Sequence, residues 1–222
     1  MRVLILLGLL CQWTVSHGQT LRFEIPESEI YATSSPAVLE KMTYEMQLEV
    51  YVLQNSNWTD ESVKHELIRA ADVWQQCGVK FRSIAVMGIS PGSRYSSING
   101  NDDLRLVNSL SINSRPAVFF VHEIAGEPFS GYSYREINDY PYKEFPLKGT
   151  IWIPDLILTD EYKAKRDPVY STLAHEIAHV ILNLGHIGTR NILGSTPSLV
   201  NATISPNQCK RLRLGTYVHK IK

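Results

Sequence analysis

The sequence has no excess of either charge: its 222 residues include 22 Lys and Arg against 22 Asp and Glu. That balance excludes the basic footprint of a nucleic-acid or anionic-membrane binder. Long hydrophobic runs are also missing. The apolar stretch at residues 3–10 falls far short of the roughly 20 residues of a membrane-spanning helix, so no span is expected. Internal repeats and low-complexity tracts are absent, which excludes solenoid and fibrous architectures. Cysteine is scarce, with three in the chain.

What is present begins with a targeting segment. Met1-Arg2, the apolar residues 3–10 and the ending Ser16-His17-Gly18 follow the order of a secretory signal peptide, with cleavage expected after Gly18. A secreted or periplasmic location follows. With residues 1–18 removed, Cys77 and Cys209 remain as an even pair bound for an oxidising compartment. A disulfide between them is expected; two buried free thiols are the alternative. At 44% hydrophobic and 20% charged, the chain can bury one core. The expected organisation is an irregular leader over 19–42, marked by Pro26, Pro36 and the Ser34-Ser35 pair, then one domain over 43–222 acting as a monomer.

Hydrophobic periodicity outlines an α/β domain. Residues 44–53 (YEMQLEVYVL) alternate and are rich in strand formers, which predicts a first strand. A helix is predicted over 59–76, with Thr59 or Asp60 as cap, Glu61 and Glu66 favouring its early turns, and Val63, Leu67, Ala70, Ala71 and Trp74 on its apolar face. Gly78 stops it. Residues 79–86 read as a second strand, and the strand-helix-strand order predicts a parallel pair. The Gly, Ser and Asn of 88–103 read as a surface loop. Residues 117–121 (AVFFV) have the unbroken apolar character of a strand buried on both faces. Residues 126–142 are expected to hold an irregular edge, 150–153 (TIWI) a last strand, and Ser205-Pro206 the start of a closing helix.

The residues that carry chemistry lie in Thr172-Leu173-Ala174-His175-Glu176-Ile177-Ala178-His179-Val180-Ile181-Leu182, which is apolar and proline-free enough to be a buried helix beginning near Asp167-Pro168. On such a helix His175 and His179 share one face and can both reach one Zn²⁺. Glu176, offset by one residue, is placed to take a proton beside the metal as general base, the HExxH arrangement. Chance occurrence is the bland alternative, but unpaired polar groups are costly among apolar neighbours, so three of them there call for partners. A zinc site of this kind needs a third protein ligand and an open position. No Asp or Glu follows Glu176 anywhere in the chain. That absence excludes a downstream carboxylate and leaves His186 and His219, of which His186 is much the nearer, and Gly185 before it is expected to take the left-handed conformation that ends the helix and turns the chain back.

The segment HEIAHVILNLGH resembles the metzincin signature HExxHxxGxxH. It departs from it at two points: Leu182 holds the glycine position, and the third histidine falls one residue later. Asn191-Ile192-Leu193 resembles the segment of the metzincin Met-turn, with Leu193 where the methionine would stand, an exchange that keeps volume approximately. The resemblance implies an α/β (α+β) zincin-like fold: a twisted mixed sheet, a backing helix, an active-site helix, and a small C-terminal subdomain after Gly185. It also implies a metallopeptidase with one catalytic Zn²⁺ on His175, His179 and His186, Glu176 as base, and a protein or peptide substrate in the cleft between the two parts. His122, Glu123, Tyr132 and Tyr134 fall where such folds place cleft residues, although packing is the commoner role for aromatics there. A zinc-binding module without turnover is the rival reading, and a disulfide-stapled domain without metal is a third.

Overall fold

The computed structural model describes residues 19–90, 95, 97–99, 101–125, 131–135, 145–160, 171–186, 192–193 and 203–221. The expected signal segment, residues 1–18, lies outside them. In chain order come β1 (Gln19–Ile25), α1 (Glu27–Ile30), α2 (Pro36–Leu39), β2 (Tyr44–Met46), β3 (Glu49–Leu53) and α3 (Asp60–Trp74). Next are β4 (Val79–Phe81), β5 (Ile84–Ile89), β6 (Ser97–Ile98), α4 (Asp102–Ser109), β7 (Ala117–Val121), β8 (Glu123–Ile124) and β9 (Tyr132–Ser133). The last are β10 (Thr150–Pro154), α5 (Thr172–Leu182), α6 (Pro206–Leu212) and β11 (Val218–Lys220).

Six strands form the main sheet in the order β1-β5-β3-β7-β10-β9. The inner four run parallel, and β1 and β9 are antiparallel to their neighbours, so the sheet is mixed. Parallel strands are covered on both faces, which is why β7 is apolar at every position and buried throughout. Alternation divides its residues: Val118 and Phe120 join one core with α3 and α5, while Ala117, Phe119 and Val121 join another with α4. In the second core an aromatic row crosses four adjacent strands. Tyr51 stacks on Phe119 at 5.0 Å, Phe119 on Trp152 at 4.3 Å, and Trp152 on Tyr132 at 6.1 Å. Such cross-strand pairs hold neighbouring strands in register.

Several expectations need correction. The irregular leader contains β1, which pairs with β5 along the sheet edge, and two single-turn helices; its alternating Leu21, Phe23 and Ile25 are a strand signal that Pro26 cuts short. The strand expected over 44–53 is two strands in different sheets, β2 pairing with β4 and β11, and β3 with β5 and β7. Residues 79–86 divide likewise into β4 and the start of β5. Each pair is still parallel across α3, as expected. The loop expected over 88–103 includes β6 and the start of α4, and β11 follows β10 as a later strand. Of the irregular edge over 126–142, only 131–135 is described, and it contributes β9.

The closing helix is α6, with Ser205 accepting from Gln208 N and the Gln208 side chain accepting from Ser205 N. Cys209 on α6 is bonded to Cys77 just after α3, across a sequence separation of 132 and with Cα atoms 5.0 Å apart. No helix among the described residues is long and apolar enough to cross a membrane.

Candidate metal centre

Helix α5 starts at Thr172, where Ser171 accepts a hydrogen bond from Ala174 N; the expected start near Asp167-Pro168 lies outside the described residues. Every residue of α5 is buried. His175 and His179, one helical turn apart, bring their Nε2 atoms to 3.0 Å of each other. His186 approaches from beyond the helix, its Nε2 3.3 Å from that of His175 and its ring centroid 4.8 Å from that of His179. Among the described residues this is the group of nitrogen, sulfur or carboxylate donors whose atoms all lie within 4.8 Å of one another.

The helix ends differently from expectation. The residue types favour Gly185 for the left-handed turn, but Asn183 makes it, at φ 54° and ψ 42°. Asparagine is one of the few residues other than glycine that adopts this conformation readily. The helix therefore keeps Leu182 as its last residue, the turn falls one residue after the glycine position of the expected signature, and the extra residue is absorbed before His186 returns.

Main-chain carbonyls fix the two buried rings. His175 Nδ1 donates to Ile192 O at 2.5 Å and His179 Nδ1 to Leu184 O at 2.6 Å. A carbonyl has no proton to give, so the hydrogen sits on each Nδ1 and each Nε2 presents a lone pair. Burial, reinforced by the nearby His186 and Arg135, lowers the His179 pKa to about 4, which keeps that ring neutral. Two lone pairs facing at 3.0 Å repel, whereas a shared cation converts them into two bonds. Tetrahedral Zn–N bonds of about 2.0–2.1 Å put ligand nitrogens roughly 3.3 Å apart. This donor set fits zinc. Leu193, which the sequence expectation puts at a Met-turn position, is 0% exposed in the core beside Ile192.

Glu176 is 4% exposed, and its Oε2 accepts a hydrogen bond from Ser133 Oγ at 2.8 Å. Burial raises its pKa to about 7, partly opposed by the Ser133 bond. Glu66 is expected from the sequence to favour the early turns of its own helix. Instead it reaches from α3 to the start of α5, where Oε1 accepts from Ser171 Oγ at 2.9 Å and Leu173 N at 3.0 Å. Neither Ser133 nor Glu66 was identified from sequence: each acts on a residue 43 to 107 positions away, and no local pattern marks such pairs.

The weaker candidates stand outside the three-histidine group. His122 Nδ1 is paired with Asp155 Oδ2 at 2.8 Å, and the Tyr132 and Tyr134 hydroxyls both donate to Asp103 Oδ2. His219 is exposed on β11, opposite Glu45.

No family model and no curated protein matches the chain. Among solved structures it is similar to metalloproteinase-II from Bacteroides fragilis, with a TM-score of 0.51 and 14% identity over 78% of this chain and 53% of that one. The chain thus spans about half the length of that metalloproteinase. A likeness at this identity carries the fold: a mixed α/β sheet with helices in the zincin-like arrangement.

Proposed function

We propose that the chain is an exported zinc metalloendopeptidase, with His175, His179 and His186 as the metal ligands and Glu176 as the general base. The observation that carries this reading is the convergence of three imidazole Nε2 atoms, two of them fixed as lone-pair donors by carbonyls, beside a buried carboxylate. Zinc held there supplies Lewis acidity, which acidifies water and polarises the scissile carbonyl. Glu176 handles the proton. With Oε2 engaged by Ser133, Oε1 takes the proton from the attacking water as its oxygen bonds to the carbonyl carbon, then delivers it to the amine nitrogen as the C–N bond breaks. Burial, which raises the Glu176 pKa, makes its carboxylate a stronger proton acceptor. The Cys77–Cys209 bond supports export, since such bonds persist in oxidising compartments, and export entails loss of residues 1–18. The substrate class is a protein or peptide.

The exposure of His186, against the burial of the other two rings, favours a second reading in which zinc is bound but no peptide is turned over. Glu176→Gln separates the two. As a peptidase, the variant keeps one zinc per chain while kcat falls by about 10²–10⁴, the usual contribution of general acid-base catalysis. Near-normal turnover in the variant refutes the role given to Glu176, and a wild type that binds zinc without cleaving a broad peptide library supports the second reading.

A further inference from the structure

We propose that Ser133 is a positioning residue that sets the orientation of the Glu176 carboxylate, an inference that rests on the peptidase reading above. The torsion that rotates a glutamate carboxylate is broad and has no sharp minimum of its own. Something outside Glu176 must therefore decide which oxygen faces the metal centre. Ser133 Oγ donates to Oε2 at 2.8 Å and is the hydrogen-bond donor to that carboxylate among the described residues.

Three features of β9 converge on that bond. First, strand alternation turns Tyr132 and Tyr134 to the face opposite Ser133, where both hydroxyls donate to Asp103 Oδ2, from Tyr132 at 2.9 Å. Asp103 is 0% exposed in the first turn of α4, so β9 is clamped from behind by a buried acceptor. Second, pairing with β10 places Ser133 opposite Ile151 and Tyr132 opposite Trp152, and the Tyr132 ring stacks on Trp152. A slip of one residue would send the serine to the wrong face. Third, a Cβ on Gly131 would lie 3.1 Å from Thr172 Cγ2 and 3.2 Å from Glu176 Cγ, so the strand approaches α5 as closely as a bare backbone allows. The clamp, the register and the close approach fix the distance across which the hydroxyl reaches Glu176, leaving Oε1 for the proton.

The test compares wild type, Ser133→Ala and Ser133→Thr, each loaded with zinc, by kinetics on a peptide library, zinc content, thermal melting and crystal structures. A hydrogen bond to a charged group implies that Ser133→Ala lowers kcat roughly ten- to a hundredfold. KM, zinc content and melting temperature stay within about twofold or a few degrees, and the Glu176 carboxylate rotates or splits between conformers. Ser133→Thr keeps the hydroxyl and restores most of kcat. A purely structural serine would instead lower zinc content and melting temperature together. The proposal is overturned if kcat in Ser133→Ala stays within twofold of wild type, or if the carboxylate keeps its orientation without the hydroxyl. Should the wild type bind zinc and cleave nothing, the peptidase reading falls, while the paired crystal structures still decide whether Ser133 holds the carboxylate.

Discussion

The start of α5 and its metal-facing side are held by different chemistry. At its N-terminal end, side chains close the helix: Ser171 accepts from Ala174 N, and Glu66 accepts from Ser171 Oγ and Leu173 N, all inside the core. On its metal-facing side, from His175 in the first turn to His179 in the last, main-chain carbonyls of Ile192 and Leu184 receive the ring N–H groups. The first arrangement satisfies donors that any helix start leaves open, and places a carboxylate at the positive end of the helix dipole. The second chooses ring tautomers and aims lone pairs. Stability is thus concentrated at the helix start and metal chemistry along this side, and substitutions should separate the two.

The largest effect is expected on the metal-facing side. His186 is exposed, so His186→Ala removes a ligand with little loss of packing. If each ligand carries about 3 kcal/mol or more of the 10–16 kcal/mol seen in four-ligand structural zinc sites, affinity falls at least about a hundredfold. Melting of the metal-free chain should not change, and His219→Ala should alter neither quantity; competition with a zinc chelator and calorimetry read both.

Glu66→Ala is the opposite break. It strips a buried acceptor from two donors and should cost about 2–3 kcal/mol, or roughly 4–12 °C in melting temperature for a chain of this size. Zinc affinity of the folded variant should stay within about twofold of wild type. Equal losses of stability and zinc would mean that the helix start and the metal-facing side are not separable.

In the metal-free chain the site should also oppose itself electrically. His179 has its pKa lowered from 6.5 to about 4, so the unfolded chain binds its proton more readily, and stability rises with pH from about 4 to 6.5. Glu176 has its pKa raised from 4.5 to about 7, so the folded chain binds the proton more readily, and stability falls with pH from about 4.5 to 7. Each change is worth about 3 kcal/mol, and over the shared window they nearly cancel. Replacing Glu176 by Gln removes the falling limb. The stability difference between that variant and wild type should grow by about 3 kcal/mol between pH 4.5 and 7 in denaturant titrations with chelator present.

The smallest effect belongs to the turn that closes the helix. Asn183→Ala puts a Cβ without a compensating polar group into the left-handed region and should cost about 1 kcal/mol, while Asn183→Gly should stay within about 0.5 kcal/mol of wild type. Because Leu184 O follows directly, the alanine variant should also lose some zinc affinity through His179.

What could be read from the sequence divides along the same line. The histidines and Glu176 were legible because one helix carries three of the four at fixed spacing, and α3, β7, β10 and the Cys77–Cys209 pair announce themselves by periodicity or by count. The helix end was misplaced because Gly185 is the stronger left-handed former by residue type, and only the geometry shows that Asn183 takes the turn. The breaks between β2 and β3 and between β4 and β5 were hidden because strand-forming residues continue through them while the chain changes sheet. Glu66 and Ser133 were invisible because their partners are brought near by the fold alone.

The central claim, that three histidines and Glu176 make a zinc peptidase, is tested most directly by titrating zinc into the metal-free, disulfide-intact chain while following cleavage of a peptide library. The account predicts that hydrolysis is absent without metal, rises linearly, and saturates at one zinc per chain. Saturated binding at one equivalent with no cleavage, or cleavage that persists under chelation, would contradict it.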